Sequence, residues 1–306
     1  MSAKRGTAVL LVVAPAMLGL ADVIVIAPAA VDNSFSNFPF LICQGGPSSM
    51  RYQQVYDASA FSVINPIGGY IRLIELVPGG SDGGIALSGS IQINFSTTSK
   101  APDNLSPVFS ENVGPDDLAV FGPGPLSVSA SPGGMAQITF AGHFFYNPAL
   151  GNLLMDVRVE GVPPIMRDES WVAHNESGDV VSRVYAQSIT ALTATVVDTT
   201  GLVTWFQIYP MPRLHAEELT NSIVISWPDD YGLFDLQSAG QVEAGAQWQI
   251  VTNQPIHTFA TNSVALPVDL ALQARYFRLR SKPSQATSPA SALSAHAIRA
   301  GETKPE

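Results

Sequence analysis

The chain has one cysteine, Cys43, in 306 residues, so no intrachain disulfide can form. Without disulfides, a secreted chain is held together by its hydrophobic cores alone. Positive charge is also scarce: 15 Lys and Arg stand against 25 Asp and Glu, a formal net charge of -10. Binding to nucleic acid needs clustered basic groups to neutralise phosphates, so nucleic acid is not an expected partner. Charged residues of both signs make up only 13%, against a globular norm of roughly 25%. Together with abundant Gly, Pro, Ser and Thr, this scarcity is typical of extracellular β proteins. Beyond the N-terminus no apolar run is long enough to span a bilayer as a helix, and no window sustains helical periodicity. Cys43 reads as a buried or semi-buried thiol, or as one that pairs between chains. Phe40-Leu41-Ile42 before it lacks the small residue expected beside a lipidated cysteine.

What is present begins with a leader. Lys4 and Arg5 precede an apolar run over 7–20, and Gly19-Leu20-Ala21 places small residues where a signal peptidase reads. Pro15 and Asp22 interrupt the run, which is shorter than the ~18 residues that span a bilayer. We expect a signal peptide over 1–21, with a second candidate cut after Ala27-Pro28-Ala29; an uncleaved anchor is the alternative. The mature chain is then secreted, extracellular or at the cell surface, with no membrane span after leader removal.

Strand periodicity dominates the rest. Ile85, Leu87, Gly89, Ile91, Ile93 and Phe95 alternate with Ala86, Ser88, Ser90, Gln92, Asn94 and Ser96, as in a half-buried strand. Gly89 in the apolar row suggests a bulge or a close backbone approach. The run over 69–77 is strand-like too, and the Gly-rich 78–84 reads as a hairpin loop joining the two. Further strands are expected around Ala136 to Phe140, Leu153 to Val159, Leu192 to Val196 and Leu202 to Tyr209. Gly114-Pro115-Asp116-Asp117 and Gly122-Pro123-Gly124-Pro125 read as loops. Many short strands with Gly/Pro turns imply an all-β fold, a jelly-roll-like β-sandwich over 22–209.

Pro210-Met211-Pro212 is a natural boundary, because prolines cannot continue a ladder and stiffen a connection. Beyond it Ile223, Ile225 and Trp227 share a face, which makes Trp227 a core residue of a smaller sandwich over 213–282. Phe234 with Leu236 and Phe277 with Leu279 supply further strands. The Ser-, Ala- and Pro-rich 283–306 reads as a flexible tail.

Trp227 followed by Pro228, Trp248-Gln249-Ile250-Val251, and Ala274-Arg275-Tyr276-Phe277-Arg278-Leu279-Arg280 resemble the strands of fibronectin type III-like or immunoglobulin-like domains. Without the antibody-type disulfide the resemblance favours the fibronectin type. The stretch is similar to repeats near the C-termini of secreted proteins from Verrucomicrobia and related bacteria. Asn37-Phe38-Pro39-Phe40, the 51–56 run, Phe121-Gly122-Pro123-Gly124-Pro125-Leu126 and Phe145-Tyr146-Asn147-Pro148 resemble secreted bacterial β proteins of the PEP-CTERM type. This chain has the fibronectin-like module where that family has its sorting tail. The resemblance implies a fold and a compartment, and no activity comes with it.

Candidate chemistry is sparse. Gly79-Gly80-Ser81-Asp82-Gly83 matches a nucleophile elbow by letter, but that elbow needs a helix after the serine and a strand follows here. His143, His174, His215, His257 and His296 are scattered with no paired spacing. Acidic residues at Asp82, Asp103, Asp116-Asp117 and Asp229-Asp230 could supply calcium oxygens, or serve as turn residues. The densest polar and aromatic cluster is Arg51-Tyr52-Gln53-Gln54-Val55-Tyr56-Asp57. On a strand, Tyr52, Gln54 and Tyr56 line one face. With Arg51 they form the candidate ligand-binding stripe; alternatively Arg51 pairs with Asp57 and the tyrosines pack at the sandwich edge. No catalytic residue and no metal ligand is assigned, and no cofactor is expected beyond optional calcium.

The reading is a secreted or cell-surface structural or adhesion protein without catalytic activity. A carbohydrate-binding sandwich, calcium-stabilised or not, is the first alternative, and a hydrolase with a site invisible in sequence is the second. An extracellular polysaccharide or a surface protein would suit as partner. A concave face with exposed aromatics would favour sugar binding, and a buried histidine beside serine or carboxylates in a cleft would favour the enzyme.

Overall fold

The structure, a computed structural model, describes residues 22–282 apart from 31, 33, 41–48, 80–84, 131–133, 162–169, 230–231, 259–260 and 269–273. The leader, Cys43, the Ser81 loop, His296 and the tail lie outside the described residues. Those residues fall into two compact units, 22–210 and 211–282.

The first unit is built of β1 (Val23–Ala27), β2 (Ser34–Ser36), β3 (Ser49–Tyr56), β4 (Gly69–Leu76), β5 (Ile85–Thr98), β6 (Leu118–Ala130) and β7 (Ala136–Tyr146). It continues with β8 (Asn152–Glu160), β9 (Trp171–Asn175), β10 (Val181–Ala186), β11 (Val196–Asp198), β12 (Thr200–Leu202) and β13 (Thr204–Pro210). Short 3-10 turns occupy Ala58–Ile64 and Phe109–Glu111. One sheet runs β1-β13-β4-β7, a second β11-β10-β3-β8-β5-β6, and a small third β12-β9-β2. The named pairs are antiparallel throughout.

Alternation along the chain becomes two faces of a sandwich. Ile138, Phe140, Gly142, Phe144 and Tyr146 on β7 are buried, while the residues between them are half-buried or exposed. They meet Ile91, Ile93 and Phe95 of β5 and Met155 and Val157 of β8 in one core. Phe95 stands at the centre, edge-on to Phe140 at 5.4 Å between ring centroids, an arrangement that aromatic quadrupoles favour. A second, smaller core lies on the other side of the six-stranded sheet, where Leu105 and Phe109 cover Val55, Leu154 and Val184. Strand β3 is therefore buried on both faces.

Four expectations need correction. No strand runs over 192–196: Leu192 is exposed, and β11 begins only at Val196. The 69–77 and 85–95 runs do not form a hairpin: β4 pairs with β13 and β7, while β5 pairs with β6 and β8. The chain instead passes from one sheet to the other between them. The irregularity in β5 falls at Ile91 to Asn94 rather than at Gly89. Opposite it, Gly122 has φ 69°, and a Cβ there would lie 2.0 Å from the Ile91 carbonyl oxygen, so only glycine fits. Finally, Gly122-Pro123-Gly124-Pro125 is not a loop but part of β6. That strand ends the six-stranded order, and prolines are tolerated on an edge because one side of the strand needs no ladder donors.

The second unit comprises β14 (His215–Leu219), β15 (Ser222–Pro228), β16 (Phe234–Ala239), β17 (Gln249–Ile250), β18 (Ile256–Thr258), β19 (Thr261–Pro267) and β20 (Tyr276–Ser281). Its sheets are β14-β15-β19-β18 and β17-β16-β20. Ile225, Trp227, Leu236, Val264 and Leu266 form its core, with Phe277 and Leu279 packed against it. Trp227 is buried at the centre of this core, where its shared face with Ile223 and Ile225 puts it. Among the described residues no helix is long and apolar enough to cross a membrane.

Candidate functional site

The predicted stripe on β3 faces inward. Tyr52, Gln54 and Tyr56 do share one face, but that face is the sandwich interior, and all three are fully buried. The Tyr52 hydroxyl donates to Gln54 Oε1. The same oxygen accepts the Leu202 N–H at 2.8 Å, and Gln54 Nε2 donates to the Leu202 carbonyl at 3.0 Å. Gln54 thus pairs with the β12 backbone as another peptide would. The Tyr56 hydroxyl shares a hydrogen with Thr204 Oγ1 at 2.8 Å. Burial pushes the Tyr52 and Tyr56 phenols well above their ordinary range, because a phenolate there would lose its hydration. These groups hold β3 to β12 and β13 and do not form a surface stripe.

Arg51 lies on the opposite face, where Nη2 donates to Asp156 Oδ2 at 2.7 Å. Asp57 is not its partner; it caps the following 3-10 turn by accepting the Ser59 N–H. Asp156 also accepts from Gln53 Nε2 at 2.9 Å, and Gln53 Oε1 accepts from Asn112 Nδ2 at 2.9 Å. This chain of polar groups pins the covering loop to the sheet.

The described acidic residues of these loops do turn and strapping work; Asp82 and Asp230 lie outside the described residues. Asp103 Oδ2 accepts the Gly178 N–H, Asp116 Oδ1 accepts the Thr97 N–H, and Asp229 Oδ1 accepts the Leu233 N–H. Asp117 accepts both its bonds from Asn94 Nδ2. Among the described residues no group of three or more His, Cys, Asp or Glu side chains converges as a metal site would. His143 lies half-buried on β7, its ring 6.4 Å from that of Tyr70. Burial, then the Arg72 charge, hold its imidazole below the usual range.

A different histidine carries the more suggestive geometry. His174 is the last but one residue of β9, is 3% exposed, and shares a hydrogen between Nδ1 and Asp179 Oδ2 at 2.6 Å. Asp179 Oδ1 accepts the Val181 N–H at 2.8 Å, so the carboxylate is fixed by the turn between β9 and β10. Gly178, with φ 83°, allows that turn its left-handed backbone. On the other ring nitrogen, Nε2 stands 3.8 Å from Glu176 Oε2. These three side chains and Ser59 line an open cleft of ≈ 380 Å³ whose remaining wall includes Ile26, Pro28, Ala60 and Val180. A histidine oriented through Nδ1 by a carboxylate presents Nε2 as a base or acceptor in its neutral form. The sequence does hold a local signal for it, His174-Asn175-Glu176-Ser177-Gly178-Asp179, in which two acids flank a glycine turn beside a histidine. Nothing in that signal foretells the cleft, which depends on the end of β1 and the 3-10 turn after Tyr56.

No family model matches this chain, and the comparisons with curated proteins and with solved structures give no significant match.

Proposed function

We propose that the chain is an exported structural or adhesion protein, acting at the cell surface or outside the cell without catalytic activity. The observation that carries this reading is the use made of the densest polar and aromatic cluster. Arg51, Gln53, Gln54 and Tyr56 bond to other parts of their own sandwich and Tyr52 bonds to Gln54 beside it, which makes a rigid building unit. The smaller unit supports the fibronectin-type comparison. Its order β14-β15-β19-β18 over β17-β16-β20 corresponds to strands A-B-E-D over C′-C-F of an immunoglobulin-like sandwich, the kind of module used as spacer or docking unit.

Export is part of the same proposal. β1 starts at Val23, just after Ala21, and its Val25 and Ala27 sit in the sandwich core. A cut after Ala29 would remove that strand, so the cleavage we favour is after Ala21. The test is antibody labelling of unpermeabilised source cells and of their medium. Surface or medium labelling is expected; protein confined inside the cell would overturn the proposal. A glycan array with and without calcium separates the carbohydrate-binding alternative, which a saturable hit would favour.

One observation favours a second reading, a hydrolase: the buried His174–Asp179 pair shares its cleft with Ser59. Labelling of Ser59 by a fluorophosphonate probe, abolished by His174→Gln, would replace the structural reading with this one.

A further inference from the structure

We infer that the His174 cleft of the first unit is a binding site for a small organic ammonium ion with an apolar body. This inference stands apart from the structural reading and does not depend on it. The cleft has two chemically distinct kinds of lining. Glu176 and Asp179 bring two carboxylates to a single histidine, so the local balance is negative. Ile26, Pro28, Ala29, Ala60 and Val180 supply apolar wall. Its volume of ≈ 380 Å³ lies within the roughly 300–1,000 Å³ of small-molecule sites.

The buried histidine identifies the ligand chemistry. His174 is held by Asp179 through Nδ1, and in the neutral ring a donating Nδ1 leaves Nε2 as the acceptor. Glu176 Oε2 is 3.8 Å from Nε2, too far for a hydrogen bond between them. One ammonium nitrogen placed about 2.9 Å from each reaches both acceptors at ordinary hydrogen-bond length. The charge on Glu176 makes its bond charge-assisted, the stronger kind, while an alkyl body leaves water for the apolar wall. A zinc ion fits less well. Zinc sites use three or four protein ligands, and no group of three His, Cys, Asp or Glu side chains converges here among the described residues.

The experiment follows the His174 ring nitrogens by NMR in the whole, histidine-labelled chain, assigned with His174→Gln. It is titrated separately with n-butylammonium, with butan-1-ol as the uncharged counterpart, and with zinc chloride. Glu176 is exposed, with a side chain 72% accessible, so Glu176→Gln removes its charge without disturbing the core. Expected is a saturable shift with n-butylammonium that Glu176→Gln weakens about tenfold or more, the scale of one hydrogen bond to a charged group. Butan-1-ol should bind at least as weakly as the ammonium does to that variant. The inference is overturned if n-butylammonium gives no saturable shift, if the alcohol binds equally well, if Glu176→Gln changes nothing, or if only zinc shifts the ring.

Discussion

Arg51 pairs across strands with Asp156, at 2.7 Å between Nη2 and Oδ2, with side chains only 12% and 3% exposed. The guanidinium also lies over the Phe109 ring, 4.6 Å from its centroid. The pair therefore joins the sheet to the loop that covers it. Removing one partner of a buried pair leaves an uncompensated charge, at a cost of about 3–5 kcal/mol. We expect Asp156→Ala to fall near the lower end, about 3 kcal/mol, because Arg51 keeps some solvent. Chemical denaturation measures it. A loss within ordinary surface scatter, about 0.5 kcal/mol, would show the network to be dispensable.

Strand β1 gives the second prediction. Val25 and Ala27 are core residues and Asp22 pairs with Arg72 of β4. A chain starting at Ala30 exposes the edge of β13 and leaves holes beside Phe206 and Thr204, their partners on that strand. We expect the protein collected from an exporting host to begin at Asp22 by mass spectrometry, and a version begun at Ala30 to unfold at lower denaturant. Equal stability of the two would separate β1 from the core.

Much of this fold was legible because alternation is a local property. The period-two rows at Ile91, Ile93 and Phe95 and at Ile138 and Phe140 name their buried faces before any partner is known. Partnership is not local. Nothing in 69–95 distinguishes a hairpin from a passage between two sheets, and the glycine-rich connection suits either. Spacing also placed Tyr52, Gln54 and Tyr56 on one face correctly, yet gave no sign that the face is interior. Both faces of β3 are covered, one by the opposing sheet and one by the loop carrying Phe109, so polar residues there are internal fasteners. The His174 cleft was hidden for the same reason: its walls come from Ile26, Ser59 and Val180, far apart in the chain.

Trp227 gives the third prediction. It fills the core of the second unit together with Ile225 and Leu266. Trp227→Ala should cost about 3–5 kcal/mol, a large part of the ~5–15 kcal/mol that stabilises a typical domain. Hydrogen exchange should show lost protection over 211–282, with the amides of β3, β5 and β8 unchanged. Full protection of β15 in the variant would refute the core placement.

Asp117 predicts an acid dependence. Burial raises its carboxyl above the ordinary range, and the nearby Asp156 charge adds to this, against the opposing bonds from Asn94. A carboxyl whose folded value is raised binds its proton more tightly in the fold. It therefore weakens the fold at neutral pH, and this weakening fades as pH falls through the raised value towards the unfolded one. Asp117→Asn keeps an acceptor for Asn94 and removes the charge. We expect it to stabilise the protein at pH 7 and to make no difference near pH 3, as read from paired thermal melts. Stabilisation that persists undiminished at pH 3 would mean that the charge is not its source.

The buried tyrosines set the alkaline limit. Tyr52, Tyr56 and Tyr146 all have phenols raised by burial, and the Asp57 charge adds to the effect at Tyr146. Their hydroxyls are used internally: Tyr146 donates to the Gly151 carbonyl at 2.9 Å, while Tyr56 bonds Thr204. The neutral form is thus favoured in the fold, and the unfolded chain loses these protons first. Stability from these groups is fully present below the unfolded value near 10 and declines as pH rises above it. Absorbance at 295 nm should accordingly rise in two stages. The first stage is reversible and leaves the fold intact, and the buried tyrosines ionise only together with loss of the β-sheet circular dichroism. Tyr56→Phe removes one ionising group, so the second stage should shrink by one tyrosine. A single stage that accounts for every tyrosine while the sheet signal is intact would mean that the interior face of β3 is open to hydroxide, contrary to the packing of Tyr52 and Tyr56 described above.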